Sequence, residues 1–127
     1  MKENVMLTVA SLLSVVLGTF HLTRDLLRNG MTPVGFYTSV LIMVVWVYGT
    51  LVLAERRSGY IILILGSLLG LAVPGGHMMG AGIAKWTGFF FVWTMMALAV
   101  SASFSLILSV RGLWRLQRGK PGSPTTR

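Results

Sequence analysis

Glu55-Arg56-Arg57-Ser58-Gly59 is a short charged stretch between two long apolar blocks, and it decides how the chain is divided. Apolar runs of roughly 20 residues, the length that a helix needs to cross a bilayer, recur on both sides of it. The 127-residue chain is 54% hydrophobic and only 11% charged, whereas soluble domains are roughly 25% charged. The sequence therefore predicts an all-α integral membrane four-helix bundle, with one helical hairpin before this turn and a second hairpin after it.

Four membrane spans are predicted within a single domain that covers residues 1–120, at approximately 5–23, 34–54, 60–79 and 86–110. Residues 121–127 are predicted to form a disordered cytoplasmic tail. Because proline removes a backbone hydrogen bond, span three is expected to break at Pro74-Gly75-Gly76. His77 would then lie on broken or re-entrant backbone. Span two has a bulky middle and few small residues, so more of it is expected to face lipid.

Basic residues are unevenly divided between the two predicted sides of the membrane. Four spans put both termini on one side, which then carries eight of them: Lys2, Arg56, Arg57, Arg111, Arg115, Arg118, Lys120 and Arg127. The other side carries Arg24, Arg28 and Lys85. By the positive-inside rule, both termini and the Glu55 turn are expected in the cytoplasm, with both histidines approaching the outer face.

The net charge of +8 is therefore attributed to orientation in the membrane, and no nucleic-acid partner is expected. Arg111, Arg115, Arg118 and Lys120 form a basic tail after span four, which is predicted to face anionic lipid. The short loops suit a bacterial inner membrane.

Small residues recur every four positions in three of the spans, and this spacing predicts close approach of neighbouring helices. They are Ala10, Ser14 and Gly18 in span one, Gly66 and Gly70 in span three, and Ala97, Ser101, Ser105 and Ser109 in span four. These spans are expected to pack through those faces. The bilayer is the first expected partner, and a second copy or partner membrane subunits are the others.

A weak internal repeat relates the two hairpins. Ser11-Leu12-Leu13 precedes His21 by the same interval at which Ser67-Leu68-Leu69 precedes His77. Two parallel repeats, related by an axis along the membrane normal, would put the two histidines in equivalent places. Leucine-rich segments also match by chance, so a true duplication of the hairpin and a chance match both stay open.

A candidate outer-face pocket is formed by His21, Arg24, Asp25, Arg28 and His77. The first four share one face of a continuing helix. A histidine and a carboxylate at i, i+4 are suited to metal binding or proton transfer. The pocket would bind a metal, a quinone or an anionic head group. The structural alternative is a helix end that becomes polar as it leaves the membrane, with Asp25 paired to a neighbouring arginine.

Two cofactor hypotheses involve the histidines. Met78 and Met79 follow His77, and such thioether and imidazole ligands suit Cu(I). Met31, and His21 from the other hairpin, would complete this copper site. Methionine is also common in apolar segments, and the glycines beside His77 suit a simple turn. A haem between the two histidines is a further alternative.

The default expectation is a chain without a cofactor. No residue is assigned a catalytic role, and the absence of cysteine excludes thiolate ligands. By elimination, the sequence favours a non-enzymatic membrane component that packs with itself or with partner subunits. The outer-face pocket is the alternative function.

Overall fold

The computed structural model describes residues 2–30, 32–81 and 88–118. Within these residues the secondary structure is four α-helices and no strands: α1 (Lys2–Asn29), α2 (Pro33–Leu51), α3 (Arg57–Ala81) and α4 (Phe89–Arg118). Each helix contains a segment that is long and apolar enough to cross a membrane, namely Glu3–Leu27, Pro33–Leu51, Arg57–Met79 and Phe89–Arg118. The all-α prediction is confirmed, and four candidate membrane spans are present.

Neighbouring helices run in opposite directions and pack in chain order. α2 and α4 each contact α1 and α3, and α1 also touches α3 across the centre. Asn4 bonds to Glu55 at one end of the bundle, whereas the rings of His21 and His77 meet at the other. These ends are called the terminal end and the histidine end below. The arrangement is that of an up-down-up-down four-helix bundle.

α3 runs without interruption from Arg57 to Ala81, so the predicted break at Pro74-Gly75-Gly76 is wrong. Pro74 lies inside the helix and is buried. Proline removes one hydrogen bond of the helix, but neighbouring helices make such a loss tolerable in membrane helices. α3 packs against both α2 and α4, and this packing holds the helix together through Pro74. His77 therefore lies on a regular helix and not on a loop.

The other helix ends differ modestly from the predicted spans. α2 ends at Leu51, before the predicted end at residue 54, and the turn that follows places Glu55 at a φ of 66°. α3 can begin close to this turn because Gly59 has no side chain: a Cβ there would overlap the carbonyl oxygen of Leu53. α4 continues to Arg118, past the predicted end at residue 110. Lys85, Lys120 and the predicted tail 121–127 lie outside the described residues.

α2 is the least buried of the four helices. Only 17% of its apolar segment is buried, against 39% of that of α1. Its inward face consists of Trp46, Gly49 and Thr50. A larger share of α2 therefore lies on the outside of the bundle, and the contact of this share with lipid stays a prediction.

The centre of the bundle is rich in buried hydroxyl groups contributed by all four helices. Trp46 Nε1 donates to Ser11 Oγ at 3.0 Å, and Ser11 Oγ lies 2.8 Å from Thr50 Oγ1, which ties α1 to α2. Ser14 Oγ lies 2.9 Å from Ser101 Oγ and ties α1 to α4. Hydrogen bonds of this kind between membrane helices contribute about 0.6–2 kcal/mol each.

The small residues singled out in the sequence lie in different surroundings. Gly66 and Gly70 face the indole ring of Trp46, and Gly18 faces Met43. Ser14, Ser101, Ser105 and Ser109 are buried in the bundle. Ala10, which is also buried, lines a groove between α1 and α4 together with Ala97 and Ser101.

The two histidines of the weak repeat lie at the same end of the bundle, on the diagonal helices α1 and α3. Ser11 and Ser67, which are equivalent in the repeat, are both fully buried. Two parallel hairpins would give this placement. A duplication of the hairpin stays a prediction.

Candidate metal centre

His21 is a buried polar residue at the histidine end, with 5% of its side chain exposed. α1 places His21 and Asp25 one turn apart on the same face, because they are at i, i+4. Nε2 of His21 lies 3.2 Å from Oδ2 of Asp25. The Asp25 side chain is 33% exposed, so it connects the buried imidazole to the outside of the bundle.

His77 reaches the same point from α3. Its Nε2 lies 3.4 Å from Nε2 of His21, and the two rings are 5.1 Å apart at their centroids with an interplanar angle of 84°. One ligand atom from each of His21, His77 and Asp25 lies within 4.8 Å of the other two. The structure thus brings together residues from both predicted hairpins, and these three residues are called the His–His–Asp cluster below.

Phe91, in the first turn of α4, forms a wall of the cluster. Its ring centroid lies 5.4 Å from that of His77, edge to face, and 6.2 Å from that of His21. The guanidinium carbon of Arg24 lies 4.4 Å from the Phe91 centroid, which is a cation–π contact. Arg24, a predicted pocket residue, therefore lies beside the cluster with its cationic group over an aromatic face.

Sequence reasoning missed Phe91, which is the third residue of the run Phe89-Phe90-Phe91. Phe89 and Phe90 are 73% and 85% exposed, whereas Phe91 is half-buried. Which of the three phenylalanines points into the bundle depends on their positions around the axis of α4. The predicted start of span four at residue 86 did not define those positions. A run of aromatic residues at a helix start is the signal that was available.

The methionines of the predicted copper site turn away from the cluster. Met78 is 50% exposed and Met79 is 93% exposed. Successive residues of a helix are rotated by about 100°, so both side chains leave α3 on other faces than His77. Met31 and the side chain of Arg28 lie outside the described part of the chain.

The predicted basic tail has partners within the protein at the terminal end. Arg111 lies 3.4 Å from Glu3, and Arg115 bonds to both oxygens of the same carboxylate. The Arg118 guanidinium lies 3.8 Å from the centre of the Trp114 ring. These side chains are also surface-exposed, so they remain accessible to lipid head groups. Their contact with lipid stays a prediction.

Two cavities border His21. One, of about 300 Å³, extends from His21 towards Trp46. The other, of about 670 Å³, lies beside Arg24 and Phe91 where α1 meets the start of α4. Nδ1 of His21 is buried and has no hydrogen-bond partner among the described residues.

Fold and cluster together define the class of protein: a four-helix, all-α chain with four candidate membrane spans and a His–His–Asp cluster at one end. No protein-family model matches the chain, and no curated protein or solved structure matches it either. Its function is therefore inferred from the chemistry of its side chains.

Proposed function

We propose that the chain is a membrane protein that binds a divalent transition-metal ion at His21, Asp25 and His77, and that Zn²⁺ fits this site best. The supporting observation is the spacing of the ligand atoms. In a tetrahedral zinc site with bonds of about 2.0–2.1 Å, neighbouring ligand atoms are about 3.3–3.4 Å apart. The Nε2–Nε2 separation of 3.4 Å and the Nε2–Oδ2 separation of 3.2 Å correspond to two edges of such a tetrahedron.

The composition of the cluster supports an ion rather than a hydrogen-bonded pair. His21 and Asp25 alone would form an ordinary charge-assisted contact at a helix end. The two imidazole nitrogens, 3.4 Å apart, are also within hydrogen-bond distance, but Nε2 of His21 holds either one proton or one lone pair and cannot form good hydrogen bonds with Asp25 and His77 at the same time. Two imidazoles and one carboxylate are a ligand set preferred by Zn²⁺ and by neighbouring divalent metals. Three protein ligands leave the fourth position to water or a substrate.

A free ion suits the geometry better than haem. The porphyrin of a haem with two histidine ligands has to pass between the two coordinating nitrogens. Asp25 Oδ2 lies 3.2 Å from one of those nitrogens, and the Phe91 ring packs against both imidazoles. The carboxylate and the aromatic wall therefore occupy space that the macrocycle would need.

On the positive-inside rule, the metal site faces away from the cytoplasm. Eight of the eleven basic residues belong to the terminal end, the Glu55 turn or the flanking tail. In a bacterial inner membrane the ion would then bind from the periplasmic side. The partly exposed Asp25 carboxylate offers the first contact for a cation that approaches from water.

A Zn²⁺ titration of the detergent-purified protein, monitored by calorimetry, tests the proposal. We expect one ion per chain, and a Co²⁺-loaded sample with the intense visible absorption of tetrahedral coordination. Structural zinc sites contribute about 10–16 kcal/mol over four ligands, so loss of one ligand corresponds to about 3 kcal/mol, or roughly 100-fold in affinity. His21→Ala, His77→Ala and Asp25→Asn should each show a loss of this order.

Glu55→Gln is the matched control, because it removes a carboxylate at the opposite end of the bundle. Its Zn²⁺ affinity should equal that of the wild type. If the wild type binds no Zn²⁺, or if all three cluster variants bind it as well as Glu55→Gln does, the cluster is only a polar helix end.

A second candidate function is association with another copy or a partner subunit through the α1–α4 face. A groove of about 880 Å³ runs between these helices, and its lining is almost wholly apolar. Ala97 and Ser101 contribute small side chains to it, so a further helix can approach closely there. The apolar groove and its small residues support the hypothesis that the chain is a membrane component that packs with another copy or with a partner subunit.

Single cysteines test this association in native membranes, because the chain has no cysteine of its own. Val100→Cys lies on the groove and Val44→Cys on α2, and both valines are similarly exposed, at 64% and 59%. Oxidative cross-linking should give covalent dimers, or adducts with a partner, for Val100→Cys only. Equal cross-linking at the two positions, or none at Val100→Cys, would contradict this candidate function.

A further inference from the structure

Arg24 brings a positive charge next to the proposed metal site. Its guanidinium carbon lies 4.4 Å from the centre of the Phe91 ring, and this ring centre is 5.4 Å from that of His77. The guanidinium therefore lies no further from the His77 imidazole than these two distances together. Arg24 and His21 are one turn apart on α1, and both line the cavity of about 670 Å³ between α1 and the start of α4.

A metal ion at the cluster would leave an excess of positive charge at this end of the bundle. The chain has three acidic residues, and Glu3 and Glu55 belong to the terminal end, so Asp25 is the only one at the histidine end. Without a metal, the charges of Asp25 and Arg24 cancel when the imidazoles are neutral. A divalent ion adds two positive charges that no acidic side chain at this end balances. Because uncompensated charge is costly at a partly buried site, an anion is expected to bind together with the ion.

The site can accept an anion at two points. A tetrahedral ion with three protein ligands keeps its fourth position open. The Arg24 guanidinium stays charged at any physiological pH and has five N–H donors, so its cation–π contact with Phe91 does not use up its capacity to bind an anion. The cavity that Arg24 and His21 share provides the space for such a ligand.

We propose that the metal ion and Arg24 together bind a phosphate group, with one phosphate oxygen in the open coordination position and others accepting hydrogen bonds from the guanidinium. This inference rests on the proposed metal site and names the class of ligand that the site would take. A phosphate monoester carries about −1.5 to −2 charges at pH 7, which matches the excess charge of the loaded site, whereas a carboxylate brings only one. The planar fork of an arginine also matches two oxygens of a phosphate.

Two sources would supply the phosphate, a soluble ion or the head group of a lipid. Phe20, Phe89 and Phe90 line the same cavity and are 65%, 73% and 85% exposed. Exposed aromatic side chains of membrane proteins concentrate at the level of the head groups. A phosphatidate would place its phosphate at the metal and its acyl chains beside these rings, whereas inorganic phosphate would use the metal and Arg24 alone.

The Co²⁺-loaded protein in a maltoside detergent provides the test, because the visible spectrum of tetrahedral Co²⁺ changes when its fourth ligand is exchanged. One arm is titrated with inorganic phosphate and the other with dihexanoyl phosphatidate. We expect a saturable spectral change in at least one arm, with a phosphorus NMR signal that is broader than in the Zn²⁺-loaded sample. By linkage, phosphate should tighten Co²⁺ binding by the factor by which Co²⁺ tightens phosphate binding, about 10-fold or more.

Three variants add specificity to the titration. Arg24→Gln should weaken phosphate binding to the Co²⁺ form by about 10-fold or more, since it removes hydrogen bonds between charged groups. In phosphate-free buffer the same variant should bind Co²⁺ at least as tightly as the wild type, because a like charge is removed. Arg24→Lys keeps the charge and should recover part of the phosphate affinity. Arg111→Gln removes an arginine at the opposite end and should change neither affinity.

The outcomes separate this inference from the metal site on which it rests. A normal Co²⁺ spectrum that neither phosphate changes would overturn the phosphate proposal and leave the metal site intact, whereas absence of the Co²⁺ spectrum would overturn both. The phosphate proposal is also wrong if phosphate binds equally well without Co²⁺, or if folded Arg24→Gln binds it like Arg111→Gln. A response to phosphatidate alone assigns a lipid head group, and a response to inorganic phosphate assigns a soluble ligand.

Discussion

Substitution of single glycines in α3 gives a sharp test of how this bundle packs. A Cβ built on Gly66 would lie 2.6 Å from the indole ring of Trp46. At Gly70 the nearest atoms would be Trp46 and Ala102, at 3.1 and 3.2 Å. At Gly76 nothing lies within 4 Å. The same Gly→Ala change therefore meets severe, moderate or no crowding along one helix.

The expected free energies follow from these distances. Alanine is favoured over glycine in a helix by about 1 kcal/mol, and this gain applies at all three positions. Overpacking costs typically about 1–3 kcal/mol. At Gly66 the ring cannot turn aside without breaking the bond from Trp46 Nε1 to Ser11, which adds about 1 kcal/mol. Gly66→Ala should then lose about 1–3 kcal/mol, Gly70→Ala should stay near zero, and Gly76→Ala should gain up to about 1 kcal/mol.

Unfolding in mixed micelles with increasing sodium dodecyl sulfate measures these differences, with helicity and tryptophan fluorescence as independent probes. The informative quantity is the difference between Gly66→Ala and Gly76→Ala, about 2–4 kcal/mol, because the helix-propensity gain cancels in it. Equal stability of these two variants would show that α3 does not pack against Trp46 through Gly66.

Three further predictions concern other parts of the bundle. Ser11→Ala should destabilise the protein by about 1–3 kcal/mol in the same assay, because Trp46 Nε1 becomes a buried donor without an acceptor; an unchanged midpoint would contradict this. Glu3→Gln breaks exposed ion pairs with Arg111 and Arg115, so its cost should stay below about 1 kcal/mol and shrink as sodium chloride is added, and a larger cost that resists salt would be inconsistent with the exposure. In intact cells an impermeant maleimide should label Thr32→Cys and not Ser58→Cys, and the reverse pattern would invert the proposed orientation.

The number and order of the helices could be predicted because each is an apolar run bounded by charge or by loop residues. The error at Pro74 has a physical cause. In the local sequence, Pro74 loses one hydrogen bond and the two glycines are flexible, and both effects disfavour a helix. The packing of α3 against α2 and α4 stabilises the helix along its whole length. Tertiary contacts of this kind are not visible in a sequence window.

The site could be predicted only in part. His21 and Asp25 share a face by their spacing alone, so this pair was accessible from the sequence. Contact with His77 also depends on the register between α1 and α3 and on an unbroken α3, and neither follows from spacing. The inward orientation of Phe91 depends likewise on where α4 begins. Gly66 and Gly70 were correctly singled out as small, but the bulky partner they face, Trp46, is on α2.

Metal binding would reverse the hydrogen-bonding role of the second nitrogen of His21. In the free protein Nε2 faces the Asp25 carboxylate, which only accepts hydrogen bonds, so the ring proton of a neutral imidazole lies on Nε2 and Nδ1 is an acceptor. When a metal ion occupies Nε2, the proton has to be on Nδ1, which becomes a donor.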